Sequence, residues 1–298
     1  MDIVLHKVNE SLIHVDAERH IQAEMSDYFT FSVPNAQFHP AFKAKMWDGK
    51  KRMFNVMNCT LPYGLLPYVK KFAEDNEYTL DCNNLDLENE FSIVEAQEFF
   101  TKLDVHNKRG EPITPRDYQV SAFRTAVQRK RVILVSPTAS GKSLIIYALV
   151  RWYTLVGLRV LLVVPSTSLV EQMYGDFKAY SNGTWNVEQN CHKIYSGKDK
   201  VTDKSVVITT WQSIYKLKKP WFDQFGAVIG DEAHTFQATS LTTLMNKLVK
   251  AKYRVGTTGT LQDTQVHKLV LEGHFGAATQ VITTKELIDS KAVSDIKI

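Results

Sequence analysis

The sequence predicts an α/β protein with a parallel β-sheet covered by helices on both faces, preceded by a small α+β domain. From residue 114 onward, short aliphatic strands alternate with helical stretches, which is the pattern of βαβ units. The strand predicted at 132–135 runs into a loop of small residues that ends in Gly141, Lys142 and Ser143. The residues before 110 mix strands and helices without this alternation. A length of 298 residues suits two such domains.

The first 110 residues are predicted to form the small α+β domain. Alternating apolar and polar residues predict a β-hairpin, and helical periodicity predicts three helices. A polar stretch with Gly and Pro at 107–112 marks the expected domain boundary. The domains are therefore expected at 1–110 and 111–290. The predicted elements of the first are strands at 3–8, 12–16, 30–33 and 78–82 and helices at 18–28, 64–76 and 94–103.

A stretch at 38–54 interleaves aromatic and basic residues, and its role has two interpretations. Lysine and arginine can contact phosphates while exposed rings stack on bases, which indicates a nucleic-acid contact. Alternatively, the aromatic rings belong to the core and the lysines only solvate a surface. Trp47, Asp48 and Gly49 are expected to form a turn that closes a hairpin between Lys45 and Phe54. The candidate contact residues are Lys43, Lys45, Lys50, Lys51 and Arg52.

The second domain is predicted to be the parallel sheet. In such sheets ligands bind beyond the carboxyl ends of the strands, and each motif discussed below follows the end of a predicted strand. The predicted strands are 132–135, 160–164, 206–209, 227–229 and 253–257. The predicted helices are 116–129, 143–155, 166–180, 211–217, 241–248 and 266–271.

The loop before Ser143 has the residue types of a phosphate-binding loop. Backbone N–H groups of Thr138, Ala139, Ser140 and Gly141 can surround phosphate oxygens, and Gly141 allows a close approach. Lys142 supplies positive charge for the β- and γ-phosphates, and the Ser143 hydroxyl suits Mg²⁺. The pattern usually opens with glycine, whereas this sequence has Ser136 at that position. We therefore predict binding of a nucleoside triphosphate with Mg²⁺.

Two acidic residues follow the predicted strand at 227–229. Asp231 is expected to hold Mg²⁺, and Glu232 to orient and polarise an attacking water molecule. A surface acidic turn is the simpler alternative, which the preceding buried strand makes less favourable. Gly230 stands where an apolar residue is usual. The pair predicts nucleotide hydrolysis.

These motifs, together with four others in the same order, resemble those of the superfamily 2 helicases of the DEAH/DExH type. Asp231, Glu232, Ala233 and His234 resemble motif II, and residues 136–143 resemble motif I. The resemblance runs along the whole chain to helicases of T4-type bacteriophages. It implies a RecA-like lobe that binds ATP and Mg²⁺. The other four motifs are residues 115–119, 165–172, 209–213 and 258–260.

The resemblance also implies roles for further residues. Arg116 and Gln119 would read the adenine, and His234 would couple the acidic pair to Thr258, Gly259 and Thr260, where the family has alanine in place of Gly259. Two strand-end loops would contact the nucleic-acid backbone. Their candidate residues are Pro165, Ser166 and Thr167 in the first loop, and Thr209, Thr210, Trp211 and Gln212 in the second.

The resemblance implies an ATP-dependent DNA helicase that acts on branched, forked or single-stranded DNA and extends to RNA–DNA hybrids. Such motors have a second RecA-like lobe, whose Gln-x-x-Gly-Arg-x-x-Arg segment is absent here. Residues 291–298 resemble the start of the connector to that lobe. We therefore expect a truncated chain that binds ATP and DNA weakly and hydrolyses ATP slowly. Two alternatives remain open: the motor of a duplex-translocating restriction or remodelling enzyme, and a DNA-binding or annealing module that ATP modulates.

Composition excludes several other classes of protein. No apolar run is long enough to cross a membrane, and the N-terminus lacks a signal-peptide pattern. Three widely spaced cysteines predict neither a disulfide framework nor a metal site, which fits the cytoplasm of a cell, here a phage host. Residues 1–110 carry 12 basic and 17 acidic residues, so the net positive charge belongs to the second domain.

Overall fold

The computed structural model describes residues 1–86, 88–195, 199–235, 238–261 and 265–289. The chain divides into two compact units by its internal contacts. The first comprises Met1–Asp86 and a later segment that ends at Ala277, and the second contains the rest of the described chain. No helix in the described ranges is long and apolar enough to cross a bilayer.

The elements up to residue 86 follow the predicted order closely. The predicted hairpin and the helix after it are confirmed, while the strand expected at 78–82 is shorter. The helix expected at 64–76 opens with a 3₁₀ turn, Tyr63–Leu65. The elements are β1 (Ile3–Lys7), β2 (Leu12–Ala17), α1 (Arg19–Tyr28), β3 (Thr30–Ser32), α2 (Pro40–Lys43), β4 (Lys50–Arg52), β5 (Thr60–Pro62), α3 (Leu66–Asp75) and β6 (Leu80–Asp81).

The first unit contains a four-stranded sheet in the order β5-β2-β1-β6. β1 and β2 pair antiparallel, and β1 and β6 pair parallel. The hairpin expected between Lys45 and Phe54 is wrong, because β4 pairs antiparallel with β3 and not with residues just before Trp47. At the expected turn the chain bends at Gly49, and the Trp47 indole N–H donates to the Lys50 carbonyl oxygen at 2.8 Å.

The second part of the chain alternates strands and helices, as predicted. Two short edge strands, β9 and β13, escaped prediction because neither has an aliphatic run. The elements are α4 (Ile93–Leu103), α5 (Asp117–Arg129), β7 (Arg131–Val135), α6 (Lys142–Leu155), β8 (Val160–Val164), α7 (Thr167–Ser181), α8 (Val187–Asn190), β9 (Cys191–Ile194), β10 (Val206–Thr210), α9 (Trp211–Ile214), α10 (Lys219–Phe222), β11 (Ala227–Gly230), α11 (Ala238–Lys247), β12 (Tyr253–Thr258), α12 (Gln265–Phe275), β13 (Ala278–Gln280) and α13 (Thr284–Asp289).

The second unit is built around a seven-stranded parallel sheet in the order β13-β7-β12-β11-β8-β10-β9. Its inner strands are aliphatic along their whole length because both faces are covered, and every residue of Val160–Val164 is buried. Helices α5, α6 and α7 pack on this sheet, so the α/β prediction is confirmed. The expected connector at 291–298 lies outside the described residues.

The division by contacts differs from the expected boundary at residue 110. Helix α4 packs in the second unit, where the rings of Phe99 and Phe123 stack with centroids 5.2 Å apart. Helix α12 belongs to the first unit, although its sequence lies between β12 and β13 of the sheet. The chain crosses between the units three times, which explains why a boundary read along the sequence differs from one defined by contacts.

Helix α12 packs directly against the backbone near Gly64. A Cβ atom on Gly64 would lie 2.0 Å from the carbonyl oxygen of Glu272, so only glycine fits there. The Tyr68 hydroxyl donates to the Glu272 carboxylate at 2.5 Å, and burial together with this bond raises the pKa of Tyr68. The first unit is therefore completed by a helix that lies about 200 residues later in the sequence.

Candidate nucleotide and nucleic-acid site

The predicted motifs lie side by side along one edge of the large sheet. Parallel pairing places Val135 opposite Thr258, and Gly230 opposite Val163. Val164 pairs with Thr210 in the same way. Because the strands run in one direction, the loops that follow them share the carboxyl edge. The structure thus assembles segments that span more than 120 residues of sequence.

The phosphate-loop segment is held in shape by its own side chains. The Ser136 hydroxyl donates to the Ser140 hydroxyl oxygen at 2.6 Å, and both side chains are buried. This bond gives a structural role to the serine that replaces the usual first glycine. Ala139 adopts a left-handed backbone with φ of 67°, which costs a non-glycine residue about 1–2 kcal/mol. Such strain persists where surrounding contacts impose it, and is common at functional sites.

Side chains of helix α5 bind the backbone of the phosphate loop. The Tyr118 hydroxyl and the Gln119 amide both donate to the Ser140 carbonyl oxygen, at 2.8 and 3.0 Å. The Gln119 amide oxygen accepts the Arg116 backbone N–H at 2.9 Å. Gly141 has a φ of 79°, a conformation that would strain a residue with a side chain, and a Cβ atom there would lie 2.3 Å from the Gln119 amide nitrogen. The adenine contacts of Arg116 and Gln119 stay a prediction.

Lys142 forms an ion pair with Glu232 across the sheet edge. Their charged atoms are 2.6 Å apart, and the Lys142 side chain is only 13% exposed. Glu232 is held with a left-handed backbone, φ 46°, directly after β11. Its second carboxylate oxygen lies 3.4 Å from Nδ1 of His234. Lys142, which is expected to bind phosphate, and Glu232, which is expected to activate water, are therefore paired with each other in this structure.

Asp231 is 7% exposed at the end of β11. Its carboxylate oxygen Oδ1 accepts the Thr257 hydroxyl at 2.7 Å and the Glu232 N–H at 2.9 Å. Burial raises the pKa of Asp231, and the bond from Thr257 partly opposes this shift. A cation beside this carboxylate would favour its ionised form, because opposite charge offsets the cost of burial.

Ser143 points its hydroxyl at a residue that sequence reasoning missed. Its oxygen lies 2.8 Å from the hydroxyl of Tyr180, near the end of α7, and burial raises the pKa of Tyr180. Nothing in the local spacing around Tyr180 signals this contact, because it depends on how α6 and α7 pack. Thr257 was also missed, because its contact with Asp231 depends on the pairing of β11 with β12. Tyr118 lies within the predicted segment 115–119, but its contact with Ser140 was not predicted.

The available protein ligands fit a Mg²⁺ ion that is coordinated mainly by phosphate and water. Ser143 and Asp231 offer one hydroxyl and one carboxylate, and Mg²⁺ usually takes only one or two protein ligands beside phosphates. Among the described residues there is no cluster of three or more histidine, cysteine, aspartate or glutamate side chains able to form a complete metal cage. The site therefore suits a metal that arrives with the nucleotide.

His234 is linked to the segment after β12. Its Nδ1 atom lies 2.6 Å from the Thr258 hydroxyl oxygen, and Thr258 in turn donates to the Thr260 carbonyl oxygen at 2.7 Å. Because Thr258 has only one hydroxyl proton, Nδ1 of His234 must be the donor in the first bond. At Gly259, an added Cβ would meet Lys142 at an ordinary 3.6 Å, so alanine would also fit.

In the second unit, the residues that are expected to contact the nucleic-acid backbone differ in solvent exposure. Thr167 and Gln212 are exposed, whereas the side chains of Thr209 and Thr210 are buried. Ser166 caps α7 by accepting the Leu169 N–H at 3.3 Å. Pro165 and Trp211 are half-buried. The exposed pair is therefore the part of these two loops that a ligand can reach without rearrangement.

In the first unit, burial separates the aromatic residues of 38–54 into two groups. Phe54 is 2% exposed and belongs to the core, whereas Phe38 is 68% and Phe42 37% exposed. The core interpretation therefore holds for Phe54, while a nucleic-acid contact of Phe38 and Phe42 stays a prediction. Among its basic residues, Lys43, Lys45 and Lys50 are exposed, Lys51 is half-buried, and Arg52 pairs with Asp48.

Two protein-family models match the chain. Residues 2–83 match the model described as DNA helicase UvsW, N-terminal, and residues 112–263 match the model described as type III restriction enzyme, res subunit. The second match covers half of the chain. Together they account for both units in sequence order.

Individual proteins show the same similarity. The ATP-dependent DNA helicase uvsW of Enterobacteria phage T4 is 32% identical over 304 aligned positions, covering 100% of this chain and 60% of that protein. A crystal structure of the UvsW helicase from bacteriophage T4 superposes with a TM-score of 0.85 at 31% identity, covering 94% of this chain and 100% of that one. The DNA 3′-5′ translocase XPB2 of Sulfurisphaera tokodaii is 28% identical over 150 residues, 50% of this chain and 31% of the translocase. The chain thus spans less than two thirds of either full-length relative.

Proposed function

Because the chain belongs to the UvsW-type superfamily 2 helicases, we propose that it binds ATP with Mg²⁺ and couples ATP hydrolysis to work on DNA. The observation that carries this proposal is the contact between Lys142 and Glu232, at 2.6 Å, beside the buried Asp231. Residues 90 positions apart bring together a phosphate-binding lysine and a candidate general base. A surface acidic turn would not be buried or paired in this way.

In the proposed reaction, Lys142 exchanges Glu232 for the β- and γ-phosphates. Glu232, once released, orients a water molecule and accepts its proton as the water oxygen bonds to the γ-phosphorus. The bond from the γ-phosphorus to the β,γ-bridging oxygen breaks, and ADP and phosphate are the products. Ser143 and Asp231 would hold Mg²⁺, which supplies positive charge to the phosphate oxygens when bound. His234 and Thr258 lie between Glu232 and the segment that ends at Thr260, and would transmit the state of the site. We further propose a second RecA-like lobe in the intact motor, whose arginines would stabilise the developing charge.

A direct test measures ATP hydrolysis by the 298-residue chain with and without forked DNA, alongside Lys142→Ala. We expect slow hydrolysis, because the arginines of a second lobe contribute on the order of 10³–10⁵ in rate. Lys142→Ala should abolish both this activity and nucleotide binding. Nucleotide binding that is equal in both proteins would contradict the assignment of the site.

Translocation on duplex DNA without strand separation is a second candidate function. Its support is the match of residues 112–263 to a restriction-enzyme res subunit and the similarity to a DNA translocase. The two functions are distinguished by testing the intact protein on a forked duplex and on a triplex-displacement substrate. Strand separation of the fork indicates a helicase, and displacement of the third strand alone indicates a translocase.

We propose that the first unit contributes to the choice of DNA substrate. The support is the surface of exposed Phe38 and Phe42 with Lys43, Lys45 and Lys50, which combines rings for stacking with charges for phosphates. Unpaired bases occur at forks and branches, so we expect preference for branched and single-stranded DNA over linear duplex. Binding titrations with Phe42→Ala, on matched forked, linear and RNA–DNA hybrid substrates, test this. A uniform loss on all substrates would argue against selection.

The proposed site of action is the cytoplasm of a phage host. The three cysteines are all unbridged, and two of them are only half-buried. Free thiols in such positions are typical of a reducing compartment.

A further inference from the structure

We propose that a cavity beside helix α2 binds a single unpaired nucleobase of DNA. This inference deepens the proposed role of the first unit in the choice of DNA substrate, and it rests on that proposal. The cavity has a volume of about 610 Å³ and is lined by Phe42 and Trp47 together with polar and basic side chains. Volumes of roughly 300–1,000 Å³ are typical of sites for small molecules. A base with its sugar is therefore within the size that this cavity holds.

The two aromatic residues of the cavity are fixed in place by their neighbours. The Phe42 ring packs against the backbone at Gly49, where an added Cβ atom would lie only 3.1 Å from it. The Trp47 indole N–H donates to the Lys50 carbonyl oxygen at 2.8 Å, and its ring meets that of His39 edge to face, with centroids 5.4 Å apart. Rings that are already held in position lose little conformational entropy when a ligand stacks on them.

The charges around the cavity favour an anionic occupant. Residues 37–47 contain two lysines and no acidic residue. Both of them, Lys43 and Lys45, line the cavity and are exposed, and neither forms an ion pair with any residue that the structure describes. The acidic residue of the lining, Asp48, accepts from two guanidinium nitrogens of Arg52 at 3.2 and 2.5 Å, which offsets its negative charge. The lysines are therefore available for the phosphates on either side of a bound base.

The combination of rings and cations favours an unpaired base over other occupants. In a duplex the faces of each base are covered by the bases above and below it, so only a base outside the stack can present a face to Phe42 or Trp47. The Gln37 amide, also on the lining, offers a donor and an acceptor to the edge of the base. An acidic peptide would also neutralise the lysines, but it would leave the rings unused. Unpaired bases occur at forks and branches, so such a cavity would mark these structures for the motor.

The test compares the affinity of the 298-residue chain for two forked DNAs. One fork has ordinary unpaired arms, and in the other the arms keep the sugar–phosphate backbone but lack the bases. Stacking of a base on an aromatic side chain typically strengthens binding by about fivefold to a hundredfold. We therefore expect the fork without bases to bind at least about fivefold more weakly. Equal affinities would overturn the proposal, because contacts to phosphates alone would then explain the binding.

Phe42→Leu tests whether the base binds in this cavity. Leucine keeps an apolar side chain against Gly49 but removes the ring, so the variant should bind the ordinary fork as weakly as the fork without bases. The control, Met57→Ala, removes a side chain of the same unit that is 96% exposed and is not part of the cavity lining. It should leave both affinities unchanged. A folded Phe42→Leu protein, as shown by its thermal unfolding transition, that still distinguishes the two forks would contradict the assignment.

Lys43→Gln combined with Lys45→Gln tests the phosphate contacts beside the base. Loss of two contacts to single-stranded DNA should reduce the slope of log K against log salt by about 1.4, equally for both forks. Lys70→Gln combined with Lys71→Gln, at two exposed lysines of α3, is the control with the same change of charge. It should change the slope by less than half as much. Equal changes of slope in the two double variants would count against the cavity as the site.

These measurements also separate the inference from the function on which it rests. If the unmodified chain binds forked DNA but does not distinguish the two forks, only the base-binding cavity is wrong. If the unmodified chain binds no DNA at any salt concentration, the proposed function itself fails.

Discussion

At the scale of single residues, the nucleotide site is a set of polar side chains that satisfy one another. Lys142 neutralises Glu232, Thr257 and a backbone N–H bind Asp231, and Tyr180 meets Ser143. A buried charge without such a partner would be costly. A phosphate bound by Lys142 must therefore replace Glu232, and this exchange is measurable in single-residue variants.

Glu232→Gln should abolish hydrolysis without abolishing binding of the nucleotide. Glutamine cannot accept the proton of the attacking water, and it no longer pairs as a charge with Lys142. We expect at least a 100-fold loss in ATP hydrolysis, the scale of losing a general base, with nucleotide affinity equal to or greater than that of the unmodified chain. Single-turnover hydrolysis and fluorescent-nucleotide titration measure the two quantities. Loss of binding equal to that of Lys142→Ala would show that Glu232 supports the site only structurally.

Tyr180→Phe tests whether the missed tyrosine acts through Ser143. A serine hydroxyl that ligates Mg²⁺ through a lone pair still needs an acceptor for its proton, and the Tyr180 oxygen is 2.8 Å away. Losing one such hydrogen bond costs about 1 kcal/mol, so the Mg²⁺-dependent gain in nucleotide affinity should fall about fivefold. Affinity without Mg²⁺ should not change. In a Ser143→Ala background the same substitution should have no effect; an undiminished effect there would assign Tyr180 to packing alone.

Asp231→Asn should stabilise the protein while weakening its Mg²⁺-dependent nucleotide binding. The pKa of this acid is raised in the folded state, so the folded protein holds the proton more tightly than the unfolded chain. The contribution of Asp231 to folding stability is therefore greatest below the pKa that this residue has in the unfolded chain. It is lost as the pH rises through the pKa of Asp231 in the folded protein. Asparagine removes that loss, and we expect Tm at neutral pH to rise by about 2 °C or more. The gain should disappear in acid, where Asp231 is itself protonated; a gain that persists there would contradict the explanation.

At the scale of elements, two helices hold neighbouring loops in place. Helix α5 binds the phosphate loop through Tyr118 and Gln119, and Lys247 of α11 binds the loop that follows α9. The helix predicted at 211–217 ends instead at Ile214. The carbonyl oxygens of Tyr215 and Leu217, in the loop that follows, accept from the Lys247 ammonium group.

Gly64→Ala should displace α12 from the first unit. The new methyl group would lie 2.0 Å from a backbone oxygen of Glu272, and 2.7 Å from that of Gly273, neither of which can move without moving the helix. We expect a loss of about 2–4 kcal/mol in stability, the range of overpacked or disrupted cores, measured by chemical unfolding. Gly175→Ala on α7 is the matched control, since nothing lies within 4 Å of its Cβ. That control should be neutral or stabilising by up to about 1 kcal/mol.

At the scale of the whole molecule, the first unit is discontinuous in sequence. The chain enters it at Met1, leaves after Asp86, and returns with α12 before continuing into β13. Leu269, Leu271 and Phe275 of α12 are all buried. Burial of each such side chain contributes about 1.5–3 kcal/mol, and whole domains have a net stability of only about 5–15 kcal/mol. The helix is thus a necessary part of the unit.

A fragment of residues 1–110 should therefore fold poorly. It lacks α12, so the surface around Gly64 and Tyr68 would be exposed to water. We expect a broad, low-temperature unfolding transition by circular dichroism. Joining residues 265–277 to residues 1–86 by a flexible linker should restore a cooperative transition, and this fusion is the appropriate fragment for DNA-binding studies. A cooperative, stable fold of 1–110 alone would contradict the packing argument.

The sequence by itself determined the features that depend on short stretches of chain. Aliphatic runs identified five inner strands of the sheet, and the segments around Gly141 and Asp231 identified the family, because strand propensity and loop chemistry are local properties. The edge strands Cys191–Ile194 and Ala278–Gln280 were missed because their pairing, rather than their composition, makes them strands.

Only the tertiary structure decided which residues meet across the sheet edge and across the first unit. The ion pair of Lys142 with Glu232, the contact of Tyr180 with Ser143 and the place of α12 each join distant segments. Such contacts depend on how helices pack and on which strands become neighbours. A periodic pattern along the chain carries no information on either, so these contacts became visible only in three dimensions.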